Sequence, residues 1–101
     1  MSGHNAPDER SREAGLADID RRLREILVDV LGLDADDVAG FDGDTGLFGH
    51  LPELDSMAVA GLFTEIEDRF DILIEDDDVD AEMLETYGAL LAFAETKVIE
   101  G

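Results

Sequence analysis

"LDSMAVAGLFTEIEDRF", residues 54–70, decides how the rest of the chain is read. Val59, Leu62, Phe63, Ile66 and Phe70 recur at helical spacing, while Thr64, Glu65, Glu67 and Asp68 fall on the other side. The pattern predicts an amphipathic helix from Ser56 to Phe70. Gly61 in its middle costs roughly 1 kcal/mol relative to alanine, so it either admits a close neighbour or is simply tolerated. The helix opens on a lone serine set between an aspartate and an apolar run. That hydroxyl has three readings: a helix cap, a nucleophile, or an attachment point.

Working outward toward the N-terminus, Ile19, Leu23, Ile26, Leu27 and Val30 mark one face of a helix near residues 16–31. Opposite charges four apart at Asp18/Arg22 and Asp20/Arg24 support it, and Gly32 is placed to end it. The opening "MSGHNAPDERSREAG" has almost no apolar content and is predicted to be a disordered tail, leaving residues 16–101 as the folded unit. Between the two helices lies a connection of more than 20 residues. Leu33, Val38, Phe41, Leu47, Phe48 and Leu51 are spaced along it as anchors, with glycines and Pro52 for its turns.

On the C-terminal side, Ile72 and Ile74 alternate as apolar anchors before the acid run Glu75–Asp78. A short helix is predicted around Ala81–Leu84, then a last helix over about Thr86–Ile99, capped by Thr86 and burying Tyr87, Leu90, Leu91, Ala94 and Val98. The expected fold is all-α: a small four-helix bundle, three longer helices and one short, with a long loop between the first and second. Leu62, Phe63, Ile66, Ile74, Leu84, Tyr87 and Leu91 are expected to line its interior between the Ser56 helix and the later segments.

The chain has 27 acids against seven Lys and Arg, a formal charge of −20. Five of the seven bases lie before residue 25, so only Arg69 and Lys97 oppose the acids that follow. Such a surface repels nucleic acid and anionic lipid and attracts proteins with basic patches. There is no cysteine, which excludes disulfides and thiolate zinc sites. No apolar run approaches a membrane span and no signal peptide is evident, so a cytoplasmic protein without membrane insertion is expected.

The acid clusters do not form an EF-hand. Counted from Asp42, the required sixth-position glycine is Leu47; counted from Asp76, it is Ala81, and the twelfth-position glutamate is Tyr87. No metal site is expected. A hydrolase would use Ser56 with His50 and Asp55, but the strained G-x-S-x-G elbow is absent. As a helix cap, Ser56 would contribute about 1 kcal/mol. A serine there also suits a phosphate, because the first N–H groups of a helix lack partners and the positive end of its dipole faces them.

"TGLFGHLPELDSMAVAGLFTEIEDRFDILIEDDDV", followed by "ETYGALLAFAETK", resembles an acyl carrier protein over roughly residues 16–99. The resemblance implies that Ser56 receives 4′-phosphopantetheine from coenzyme A through a phosphopantetheinyl transferase. The arm's thiol would then hold acyl groups as thioesters, so the reactive sulfur is imported. It implies that Asp55 helps position this transfer and that Met57 seats in an apolar patch on partner enzymes. Glu65, Glu67 and Asp68 would form an acidic recognition face, and the apolar interior would shelter the acyl chain. Expected partners are acyl-activating ligases, acyltransferases or synthases with basic docking patches, serving fatty-acid or related lipid metabolism. The protein itself would be a non-catalytic monomer.

Departures from the family pattern also count. "PELDSM" lacks the glycine that often precedes the Asp-Ser pair, and Ala58 and Gly61 stand where such carriers often have acids. "PELDSMAV" is similar to small discrete carriers associated with exosortase-type surface-polysaccharide systems. Two alternatives stay open: a peptidyl or aminoacyl carrier of the same fold, and an acidic adaptor without the arm.

Overall fold

The computed structural model describes residues 9–100. Four helices appear in order: α1 (Glu9–Leu31), α2 (Ala35–Ala39), α3 (Ser56–Phe70) and α4 (Tyr87–Glu100). Two 3-10 turns, Asp76–Asp78 and Glu82–Leu84, lie between α3 and α4. Among the described residues there is no strand beyond one isolated bridge between Gly46 and Thr86.

α1 is the spine against which the other three helices pack. Its predicted stripe is buried at Ile19, Leu23, Ile26 and Leu27, with Leu31 added. Both predicted pairs form, Arg22–Asp18 at 2.9 Å and Arg24–Asp20 at 3.1 Å. Gly32 ends the helix with φ +68°, a left-handed conformation that costs glycine nothing, and its N–H returns to Val28 O at 2.9 Å. The helix starts earlier than its apolar period, at Glu9, so Glu9–Gly15 are helical rather than part of the expected tail. The remainder of that tail, residues 1–8, lies outside the described residues.

α3 has the predicted bounds and buries Leu62 and Ile66, with Val59, Phe63 and Phe70 half-buried beside them. It ends on Asp71 in the left-handed region, φ 54°. α4 buries Tyr87, Leu90 and Ala94, and Thr86 Oγ1 accepts from Ala89 N–H at 3.1 Å as its cap. The predicted short helix at Ala81–Leu84 is a single 3-10 turn, held by Asp80 Oδ1 accepting from Met83 N–H at 2.9 Å.

The long connection holds the one helix the period did not predict. α2 is capped by Asp34, whose carboxylate accepts from Asp36 N–H at 2.8 Å, and it buries Val38. Arg24 closes this part from α1, donating to Val38 O and Phe41 O while its guanidinium lies 4.6 Å from the Tyr87 ring centre. Backbone bonds then stitch the loop to the start of α4: Leu47 N–H to Glu85 O, Phe48 N–H to Leu84 O, Tyr87 N–H to Thr45 O and Gly88 N–H to Gly43 O, at 2.8–3.1 Å. Leu47 and Leu54 anchor the connection in the core. Phe48, expected as an anchor, is 44% exposed instead. No described helix is long and apolar enough to cross a membrane.

Candidate functional site

Ser56 is the first residue of α3, and the residue before it caps the helix. Asp55 has extended dihedrals (φ −97°, ψ −176°), and its Oδ1 accepts from Ala58 N–H at 2.8 Å. Of the three readings of Ser56, the cap therefore goes to its neighbour instead. Only the side chain on the extended residue curls back to the third helical amide, and that residue is the aspartate. The Ser56 hydroxyl is therefore released: it is exposed and has no hydrogen-bond partner among the described residues. The N–H groups of Ser56 and Met57 also have no acceptor among those residues.

Buried Leu54 just ahead of the pair, with its N–H on Leu51 O at 3.0 Å, fixes the approach to the helix. A cavity of about 380 Å³ opens beside the serine, walled by Phe48, Val59, Val79, Asp80, Ala81 and Leu84. Of the predicted interior residues only Leu84 reaches it. Leu62, Ile66 and Tyr87 are buried in the bundle core, and Phe63, Ile74 and Leu91 pack half-buried against that core. The sequence reading missed Phe48 and Val79 as walls. No period marks Phe48 as a wall, because it lies in the turn that starts at Leu47, where His50 N–H and Leu51 N–H both return to Leu47 O.

The predicted recognition residues divide. Met57 is 85% exposed directly beside the serine. Asp68 is exposed and has no partner among the described residues. Glu65 and Glu67 are half-buried and engaged within the chain. Glu65 Oε1 accepts from Arg69 Nε at 2.9 Å, and Arg69 also reaches Asp29 on α1 at 2.8 Å. Glu67 Oε2 accepts from Ile74 N–H at 2.7 Å, tying down the segment after α3. Asp29 and Glu65 hold the Arg69 guanidinium pKa above its ordinary value, chiefly through their hydrogen bonds. Asp78, the last residue of the 76–78 turn, is pulled below the usual carboxylate value by Lys97 at 2.8 Å and by Glu75 N–H.

His50 does not approach the serine as a base. Its ring lies against Gly46, in the space a Cβ there would need, and Asp55 is spent on the cap. The parts of a hydrolytic triad are thus not assembled. The acids weighed for calcium have local tasks too: Asp42 Oδ1 accepts from Asp44 N–H at 2.9 Å, closing a turn. Among the described residues no group of His, Cys, Asp or Glu is placed to hold a metal. A larger apolar cleft of about 860 Å³, with Leu16, Ile19, Phe70 and Val98 in its wall, sits at the far end of α3 and takes no part in the serine site.

The residues present suit a covalent phosphate-linked arm. The hydroxyl is open, free N–H groups face where the phosphate would stand, and an apolar recess adjoins it. Comparison with known proteins points the same way. Residues 21–94 match the family model described as a phosphopantetheine attachment site. The chain is 35% identical over 79 residues to an acyl carrier protein of an Exiguobacterium species, covering 75% of this chain and 89% of that protein. It is 40% identical over 76 residues to an acyl carrier protein of Streptococcus thermophilus, covering 75% of this chain and 90% of that protein. The solution structure of a holo acyl carrier protein from Nitrosomonas europaea is similar at a TM-score of 0.71 and 38% identity, over 80% of this chain and 95% of that one. The chain belongs to the acyl carrier protein family, whose members are non-catalytic carriers with a phosphopantetheine prosthetic group.

Proposed function

We propose that this chain is a discrete carrier that receives its arm on Ser56 Oγ and delivers acyl groups to partner enzymes. When attached, the arm supplies a thiol that holds acyl groups as thioesters. The observation that carries the reading is the division of labour at the start of α3: Asp55 fastens the helix, and Ser56 keeps an exposed, unbonded hydroxyl. Esterification there makes a phosphodiester whose charge meets the free N–H groups of Ser56 and Met57 and the positive end of the helix dipole. The site thereby tolerates an anion on a protein of net charge −20.

Phe48, Val59, Val79 and Leu84 give the first part of a cargo an apolar recess within reach of the serine. The unit acts as a monomer, in the cytoplasm, loaded by a phosphopantetheinyl transferase and served by acyl-activating ligases, acyltransferases or synthases. Tethering concentrates the cargo near each partner's active site.

Intact-mass measurement after incubation with coenzyme A, Mg²⁺ and a broad-specificity phosphopantetheinyl transferase tests this. The wild type is expected to gain one phosphopantetheinyl group and Ser56→Ala none. A wild type that gains nothing, as an adaptor would, overturns the reading.

A further inference from the structure

We infer that this carrier takes short acyl chains without an acidic end, up to about eight carbons, and leaves longer chains outside the bundle. This rests on the reading of Ser56 as the attachment site. Ser56 stands in the wall of the recess with Phe48, Val59, Val79 and Leu84, so whatever hangs on its oxygen starts at the mouth. The recess measures about 380 Å³, room for roughly a dozen groups the size of a water molecule at about 30 Å³ each. The arm's own carbons share that room, and a cargo of about eight carbons fills the remainder.

Beyond that volume the way inward is closed. Leu62 stands three residues on from Val59, on the same side of α3, and is 0% exposed. Tyr87 stands three residues on from Leu84 and is 1% exposed. An interior packed at this density keeps no channel for an added chain, so deeper entry requires the walls to part. Both walls are fastened. The 84–88 segment is bonded to the 43–48 loop through Leu84 O, Glu85 O, Tyr87 N–H and Gly88 N–H. The Tyr87 phenol also donates to the Asp20 carboxylate of α1. α3 packs on α1 and is tied to it by Arg69 and Asp29 at 2.8 Å. Parting them takes the phenol from its acceptor and breaks backbone bonds, with only alkyl carbon to replace what is lost.

Charge at the mouth sorts the cargo further. Asp55 adjoins the serine and Asp80 stands in the wall of the recess, both exposed. Each gives one oxygen to a backbone N–H, of Ala58 and Met83 respectively, and neither meets a base among the described residues. A cargo ending in a carboxylate would bring a third negative charge beside these two, whereas an alkyl end brings none.

The test loads the protein from butyryl-, octanoyl- and palmitoyl-coenzyme A with a broad-specificity transferase and Mg²⁺, confirms each product by intact mass, and melts it. The melting temperature is expected to rise from butyryl to octanoyl, as buried carbons add to the folded state. From octanoyl to palmitoyl it is expected to change by less than about 2 °C, against the many degrees that further buried methylenes would bring. Retention on an octyl resin is expected to rise only with palmitoyl, whose outer carbons remain exposed. A melting temperature that keeps climbing to palmitoyl without added retention would overturn the inference alone. Leu62→Ala, or Leu62→Val should the first lose its cooperative melt, is expected to move the plateau beyond octanoyl. A plateau left in place would sink the assignment of Leu62 as the floor. A glutaryl load is expected to give less than half the gain of a valeryl load, and equal gains would remove the preference against acidic ends. No mass gain from any donor would instead remove the reading of Ser56, and this inference with it.

Discussion

Two hydroxyl groups in this chain show what burial does to one functional group. Ser56 is open and unbonded, available for chemistry. The Tyr87 phenol is 1% exposed as a residue and donates to the Asp20 carboxylate, with the Phe41 ring edge-on at 6.1 Å and the Arg24 guanidinium over its face. Burial first, and then the negative charge and hydrogen bond of Asp20, push its pKa above the ordinary 10.0. Between the unfolded and folded values the unfolded chain gives up a proton that the folded chain keeps. The stabilisation is thus intact below about pH 10 and is lost as pH rises through that window. Tyr87→Phe is expected to cost about 1–2 kcal/mol at pH 7 by urea unfolding, and to lose stability less steeply than the wild type above about pH 10. Because Tyr87 is the one tyrosine in the chain, phenolate absorbance follows it directly.

Among the elements, the join between the long connection and α4 depends on the closest backbone contact. A Cβ on Gly88 would stand 2.7 Å from Gly43 O and 3.0 Å from Gly43 Cα, and neither atom can rotate away. Gly88→Ala is expected to destabilise the fold by about 1–3 kcal/mol, the usual range for overpacking, measured as a lower urea midpoint with an unchanged m-value. A midpoint equal to wild type would show that this join yields easily. The same join marks the limit of what the sequence reveals. α3 and the apolar span of α1 were legible because burial on one face leaves a 3.6-residue period, as at Ile19, Leu23, Ile26 and Leu27. The first turns of α1 have no large apolar residue to betray them, and five-residue α2 buries Val38 alone. The loop's attachments run through N–H and C=O groups that every residue possesses, so no side-chain pattern records them. At the site, the serine was legible but the cap was not, because Asp55 and Ser56 can both cap and only the dihedrals choose. The Glu65–Arg69 spacing of four was a readable sign that Glu65 would be engaged.

For the whole molecule the decisive quantity is charge. The two bases after residue 25 both stand at junctions: Arg69 joins α3 to Asp29 on α1, and Lys97 joins α4 to Asp78 of the 76–78 turn. These pairs are partly exposed and individually modest, while the surplus acids repel one another over the whole surface. Raising salt screens both, but the repulsion is the larger sum. The melting temperature is therefore expected to rise by several degrees between low salt and about 0.5 M NaCl, where the Debye length shrinks below about 5 Å. Calorimetry that finds a falling value would mean that the junction pairs outweigh the repulsion. A last consequence follows from placing the fastening of α3 on Asp55 and the handle on Ser56. Hanging a load on the peg disturbs no bolt in the wall behind it, so the scaffold can be charged and stripped over many rounds without being rebuilt.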